Sequence, residues 1–279
     1  MKKKYSYHSA LTIAGFDGSG GAGIQADIKT FSAVGCYATS VLTALPVQNT
    51  QGVRNIYPIP VSAVKEQIEA IMDDIFPGAI KIGMVHTPEL VECIVDTLGK
   101  YPTTPLVFDP VMVATSGHKL IEEKTIQTIV EKLFPIADLI TPNMDEAAIL
   151  AGMEIKTPAQ MYEAGRKILE SGCKALLLKG GHLQLPRITS LFFERTTGQI
   201  TAYEFEKFDT NNTHGSGCTL SSAIAAFLAR GMSLKDAVAS GQDYTHEAIR
   251  SAADVLTGKG NGPLNHFHNP QKLIKYEMV

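Results

Sequence analysis

Cysteine is sparse and scattered in this 279-residue chain. Its four residues, Cys36, Cys93, Cys173 and Cys218, form no C-x-x-C pair. That spacing argues against a zinc ribbon and against a disulfide framework, and it suits a reducing, cytoplasmic compartment. Charge of one sign is missing too. With 25 Lys and Arg against 28 Asp and Glu, the net charge is −3, so no basic excess marks nucleic acid as a partner. No apolar run reaches the length of a membrane span. The run after Tyr5-Ser6-Tyr7-His8 is too short for the core of a signal peptide. The phosphate-loop pattern G-x-x-x-x-G-K-[ST] does not occur. There is no internal repeat, and no linker divides residues 1–279, so a single domain is expected.

What is present is alternation. Short apolar runs that read as strands (Ala10–Ala14, Tyr37–Leu45, Ala79–Met84, Leu106–Asp109, Leu139-Ile140, Ala175–Lys179) alternate with amphipathic segments of helical period such as Val64, Ile68, Ile71 and Ile75. Val53–Ile59, flanked by prolines, reads as an edge strand. Thr87-Pro88 and Thr157-Pro158 are helix starts. Ile188–Glu194 and Gln199–Phe205, joined through Thr196-Thr197-Gly198, read as a hairpin. A final helix is expected over Ser233–Val255. Strands alternating with helices predict an α/β fold, a three-layer α/β/α sandwich with a largely parallel central sheet.

Two glycine-rich turns carry the chemistry. Gly18, Gly20 and Gly23 satisfy G-x-G-x-x-G after the first strand, but no acidic residue lies between Asp27 and Glu66 to hold a ribose. A dinucleotide site is therefore rejected. The second turn, Asn211–Cys218, feeds a helix over Thr219–Ala229. Unpaired N–H groups and the helix dipole make such a start an anion site. Cys218 stands at this helix start, where a thiol pKa tends to fall. Gln48, Met84, Asp109, Asn143 with Glu146, and Lys179 each fall just past a strand end, where parallel sheets bind ligands. A lysine, two carboxylates and glycine turns suit a polyphosphate with Mg²⁺.

The stretches Ala14–Asp27, Gln48-Asn49-Thr50, Lys81–Met84, Asp109–Met112, Thr141-Pro142-Asn143, Leu178–His182, Asn212–Cys218 and Gly262–His268 together resemble the hydroxymethylpyrimidine/phosphomethylpyrimidine kinases of thiamine biosynthesis. That family has the ribokinase-like fold. The resemblance runs through nearly the whole chain. It implies transfer of the ATP γ-phosphoryl group to 4-amino-5-hydroxymethyl-2-methylpyrimidine, and then to the resulting monophosphate. It also implies Cys218 as general base and Gln48 as reader of the pyrimidine, with Gly15, Ala22, Asp27, Met84 and Val111 around it. Lys179 and Asn143 would meet ATP, and the N–H groups of Gly215, Ser216, Gly217 and Cys218 would cradle the transferred group. Glu146 and Asp109 would lie near Mg²⁺, in part through water, and a homodimer would be usual for the family. The first loop departs from the family pattern at Phe16-Asp17-Gly18-Ser19, and Ser216 stands where Thr is also common. His214 is expected to be structural, and His266 with His268 is too little for a metal site. Pro110–Lys119 and His182–Ile188 are candidate lids. Two other readings are a pyridoxal kinase of the same fold and a nucleotide-binding sensor without catalysis. The intact Cys218, Lys179, Asn143 and Glu146 speak against the second.

Overall fold

A computed structural model describes residues 3–112, 121–181 and 187–278. Both lid candidates fall largely outside the described residues. In chain order the elements are β1 (Tyr5–Tyr7), β2 (Ser9–Ala14), α1 (Gly23–Ala33), β3 (Tyr37–Leu42), β4 (Ala44–Asn49), β5 (Gly52–Pro58), α2 (Val61–Asp74), β6 (Ala79–Ile82), α3 (Pro88–Leu98) and β7 (Leu106–Phe108). There follow α4 (Glu123–Thr128), β8 (Leu139–Ile140), α5 (Met144–Ala151), α6 (Pro158–Glu170), β9 (Ala175–Leu178), β10 (Arg187–Glu194), β11 (Ile200–Glu206), α7 (Ser216–Ala229), α8 (Leu234–Arg250) and β12 (Lys275–Glu277).

The central sheet has eight strands in the order β11-β10-β9-β8-β7-β6-β2-β3. From β3 to β9 all pairings are parallel. The expected hairpin adds β10 antiparallel to β9, and β11 antiparallel to β10. Period-two alternation splits each strand between two cores. Leu11, Ile13, Ile80, Ile82, Leu176 and Leu178 pack with residues of α2 to α6. Ala10, Ala79, Ala175 and Leu177 pack instead with α1, α7 and α8. The helices thus cover both faces, as the fold class requires.

Three boundaries differ from the sequence reading. The strand expected over Tyr37–Leu45 ends at Leu42. The chain turns at Thr43, and β4 leaves the sheet to pair with β5 in a separate two-stranded sheet. Exposed Leu45 and Val47 alternate with buried Ala44 and Pro46, so this ribbon has one face toward the protein and one toward solvent. Segment 53–59 is therefore a strand, but not an edge of the main sheet. The last helix ends at Arg250 rather than Val255. Beyond it the tail carries little regular structure and folds back over the strand ends. Asn261 N–H donates to Thr50 O at 3.0 Å, and His214 N–H to Gly262 O at 3.1 Å. Strands β1 and β12 pair antiparallel with each other, which no local pattern suggested.

Candidate active site

The first glycine loop is organised by a buried carboxylate. Asp17 accepts hydrogen bonds from the N–H groups of Ser19 (2.9 Å), Gly21 (3.1 Å) and Ala22 (2.7 Å), and lies 2.9 Å from His214 Nε2. Burial alone would raise its pKa. The bonds from His214, Ser19 and the backbone outweigh that and hold it well below the usual carboxylate range. His214 thus ties the second glycine turn to the first, and it also borders the ligand cavity. The contact is close enough to demand glycine. Gly215 has φ +83°, and a Cβ there would overlap the Gly21 carbonyl.

Gly215 is the N-cap of α7, and no side chain caps that helix. Ser216 N–H turns back to Thr213 O at 3.1 Å. It is therefore engaged within the turn, and the N–H groups of Gly217 and Cys218 are left as the better anion donors. Beside them lies an ion pair. Lys179 Nζ is 2.9 Å from Asp109 Oδ1, which also accepts from Thr141 Oγ1 at 2.8 Å. A Cβ on Gly217 would lie 3.1 Å from Lys179 Nζ and 3.4 Å from Asp109 Oδ2. That places the pair against the anion turn. Burial opposes both charges, but each partner more than offsets it. Asp109 is held low by Lys179 and Lys81, and Lys179 is held high by Asp109 and Glu146.

Asn143 and Glu146 form a capping box on α5. Glu146 N–H donates to Asn143 Oδ1 (3.0 Å), and Asn143 N–H to Glu146 Oε2 (2.8 Å). The N-x-x-E pattern is therefore a helix cap as well as a wall of the pocket. Burial pushes the Glu146 carboxyl up to about 7 against the attraction of Lys179.

One cavity of about 510 Å³ joins these parts. Its lining includes Gly15, Ala22, Gln48, Met84, Asp109, Val111, Asn143, Glu146, Lys179 and Gly215 to Cys218. All the expected site residues are there except Asp27. Asp27 is fully buried below the pocket, where it accepts from Lys81 Nζ (2.8 and 3.0 Å), Thr12 Oγ1 (2.6 Å) and Ser222 Oγ (2.6 Å). Its acceptor capacity is spent on these partners, so it supports the site from beneath. The residue that lines the cavity in its place is Lys81. A lysine inside Ala79-Ile80-Lys81-Ile82 was the signal that could have found it, since buried lysines need partners. Burial lowers the Lys81 pKa, but Asp27, Cys218 and Asp109 together carry it upward.

Cys218 corrects a second expectation. The helix start does not lower its pKa. Its enclosed surroundings push the thiol up to about 11, partly offset by Lys81. Desolvation of a thiolate here outweighs the dipole of one helix turn.

The sequence also missed the far wall. Ile188, Ser190 and Phe205 of the hairpin and Gln242, Thr245, His246 and Ile249 of α8 line the same cavity. On the near side the β4–β5 ribbon covers it, and Thr50 at the ribbon's tip is held by the tail. Lys259 and Gly260 N–H groups reach Thr50 Oγ1, each at 3.2 Å.

A largely parallel α/β sheet carries, past its strand ends, a glycine-led helix start beside a lysine–carboxylate pair, all lining one pocket. That combination defines a ribokinase-like small-molecule kinase. The phosphomethylpyrimidine kinase family model matches residues 17–265. A hydroxymethylpyrimidine/phosphomethylpyrimidine kinase of Rhizobium meliloti is 44% identical over 260 residues, 93% of this chain and 97% of that protein. Among solved structures, a phosphomethylpyrimidine kinase from Clostridium difficile is 42% identical with a TM-score of 0.75, covering 86% of this chain and 99% of its own. A Bacillus subtilis pyridoxal kinase, solved as an ADP complex, is 35% identical with a TM-score of 0.85, covering 94% and 98%. The chain belongs to the phosphomethylpyrimidine kinase family, and it is a kinase for which ATP is the family's phosphoryl donor.

Proposed function

We propose that this kinase phosphorylates 4-amino-5-hydroxymethyl-2-methylpyrimidine on its hydroxymethyl oxygen and then phosphorylates the monophosphate to the diphosphate. The observation that carries this reading is one cavity whose lining brings Gln48 together with Gly217, Lys179 and Asp109. Gln48 offers an amide donor and an acceptor to the aminopyrimidine edge, while Gly15, Met84 and Val111 supply the surface for its ring. Lys179 and the N–H groups of Gly217 and Cys218 face the charge that develops on the transferred group. In the first step the alcohol oxygen bonds to the γ-phosphorus, the bond to the β-phosphate bridging oxygen breaks, and the hydroxyl proton passes to the Cys218 sulfur. Cys218 acts as thiolate, so the Lys81 charge beside it favours the reactive form.

The donor set suits Mg²⁺. Among the described residues no group of three or more His, Cys, Asp or Glu could hold an ion by itself. Asp109 and Glu146 supply two carboxylates, and Mg²⁺ is usually held by one or two carboxylates with waters and substrate phosphates. When bound, the ion would neutralise charge on the β- and γ-phosphate oxygens. The free thiols fit a cytoplasmic protein. Whether two copies associate as a homodimer is checked by light scattering.

The test is mass spectrometry of products from purified protein, ATP and Mg²⁺, with hydroxymethylpyrimidine and pyridoxal in competition. Pyrimidine monophosphate followed by diphosphate is expected. The pyridoxal kinase likeness over 94% of the chain makes pyridoxal phosphate the informative alternative. If it is the only product, the substrate assignment falls. If neither compound is phosphorylated, the kinase reading of the site falls with it.

A further inference from the structure

The β4–β5 ribbon stands apart from the main sheet, yet every residue from Gln48 to Val53 lines the cavity. At its base the ribbon is tied to the body of the protein. Phe16 N–H donates to Ala44 O at 3.0 Å, and Thr43 Oγ1 donates to Met84 O at 2.9 Å. A two-stranded ribbon is marginally stable by itself in water, so its tip needs a holder of its own. The tail supplies one. Three successive backbone N–H groups converge on Thr50: those of Lys259 and Gly260 donate to Thr50 Oγ1, each at 3.2 Å, and that of Asn261 donates to Thr50 O at 3.0 Å. The seat is moulded to this one residue. A Cβ on Gly258 would overlap Thr50 Oγ1, and a Cβ on Gly260 would overlap Thr50 O.

The other end of the segment is anchored as firmly. Gly262 O accepts from His214 N–H at 3.1 Å, and a Cβ on Gly262 would overlap Asn212 Oδ1. Asn212 Nδ2 in turn donates to Ala252 O (2.6 Å) and Val255 O (2.7 Å). Residues 258–262 thus bridge the tip of the ribbon to His214, the neighbour of the Gly215 that starts α7. Both Thr50 oxygens are engaged by the tail, so Thr50 acts through the ribbon that it fixes. The apparent affinity of a ligand falls with the fraction of molecules that hold the binding arrangement. A ribbon freed at its tip therefore binds its ligand more weakly. Once bound, the ligand orders the ribbon again, and turnover is kept.

We propose that Gly258–Gly262 is a strap that fixes the ribbon over the phosphoryl acceptor, and that Thr50 is a positioning residue which sets acceptor affinity through it. This rests on the reading of Gln48, carried by the same ribbon, as the residue that binds the acceptor. The experiment is steady-state kinetics of the wild type, Gly260→Ala, Thr50→Val and Thr50→Ser, with folding checked by thermal melting. The acceptor is whichever of hydroxymethylpyrimidine and pyridoxal the wild type phosphorylates. Gly260 is not among the glycines of positive φ, so alanine there tests the contact with Thr50 and not backbone strain. The acceptor KM is expected to rise about tenfold in Gly260→Ala and about threefold to tenfold in Thr50→Val, the loss of one or two hydrogen bonds. The KM for ATP and kcat should stay within about twofold. Thr50→Ser, which keeps the hydroxyl, should behave as the wild type. Folded Gly260→Ala and Thr50→Val with an unmoved acceptor KM would overturn the proposal, even if they melt lower, because the tie would then be structural only. So would a KM for ATP that rises with that of the acceptor, or a Thr50→Ser as impaired as Thr50→Val. If Gly260→Ala does not fold, the two Thr50 variants decide, since valine keeps the shape of threonine. A wild type that phosphorylates neither compound removes the reading of Gln48 and the strap together. One that is active on either, with variants of unmoved KM, removes the strap alone.

Discussion

If Cys218 accepts the alcohol proton, activity should follow its ionisation. The thiol sits at about 11, so at pH 7 only about one molecule in 10⁴ carries the thiolate, and each pH unit upward yields about ten times more. The other charges of the centre do not confuse this window. Lys81 and Lys179 are both held above their ordinary values and stay charged. Glu146, at about 7, has nearly finished ionising by pH 8. The expected result is that kcat/KM for hydroxymethylpyrimidine at saturating ATP rises about tenfold per unit from pH 8 to 9.5. Cys218→Ala should remove the slope and lower turnover at pH 8 by about 10²–10⁴, the usual worth of a general base. The assay is initial-rate ADP release with Mg²⁺ in excess, and melting at each pH confirms that the protein stays folded. A flat wild-type profile together with near-normal turnover in Cys218→Ala would refute the role. Phosphoryl transfer would then rest on positioning and charge alone.

Lys81→Met should destabilise the fold by about 3–5 kcal/mol, because it leaves the Asp27 carboxylate buried without its cation. The double variant with Asp27→Asn should recover much of that loss in chemical denaturation, and no recovery would count against the pairing. Gly215→Ala should cost about 1–3 kcal/mol in backbone strain and weaken ADP binding, since its Cβ meets the Gly21 carbonyl. An unchanged ADP affinity would show that the contact between the two turns does not shape the anion site. Asp17 has a depressed folded pKa. Its contribution to stability is therefore present above its ordinary pKa, near 4, and lost as the pH falls below that. Asp17→Asn should flatten the decline in unfolding midpoint as the pH falls below about 4, and a wild-type-like decline would sink the assignment.

The layered fold was legible because its signals are local. Apolar runs of strand length alternate with helical periodicity, and Thr87-Pro88 and Thr157-Pro158 do cap helices. Met84, Asp109, Asn143 and Lys179 could be found because each follows an end of a sheet strand, whereas Gln48 lies within β4 of the separate ribbon. What failed to show was pairing at long range. Nothing local distinguishes Tyr5–Tyr7 from a frayed start, because its partner lies at Lys275–Glu277. The break at Thr43 interrupts an otherwise continuous apolar run. Asp27 was expected in the pocket and Lys81 was missed for the same reason: which of two charged residues faces a cavity depends on what holds the other, here Thr12 and Ser222 on Asp27. Gln242 sits inside an ordinary amphipathic helix with no motif around it, so its place in the cavity wall could not be read locally.

The backbone contact between the two glycine turns has a consequence for how the protein comes into being. Gly21 and Gly215 meet only when both ends of the chain are in place, and the tail from Lys259 to Gly262 must then settle over them. The catalytic centre is thus built from contacts of very long sequence separation, the kind that closes late in folding. The sheet face covered by α7 and α8 and the anion turn that starts α7 therefore form together, so loss of one should be loss of the other.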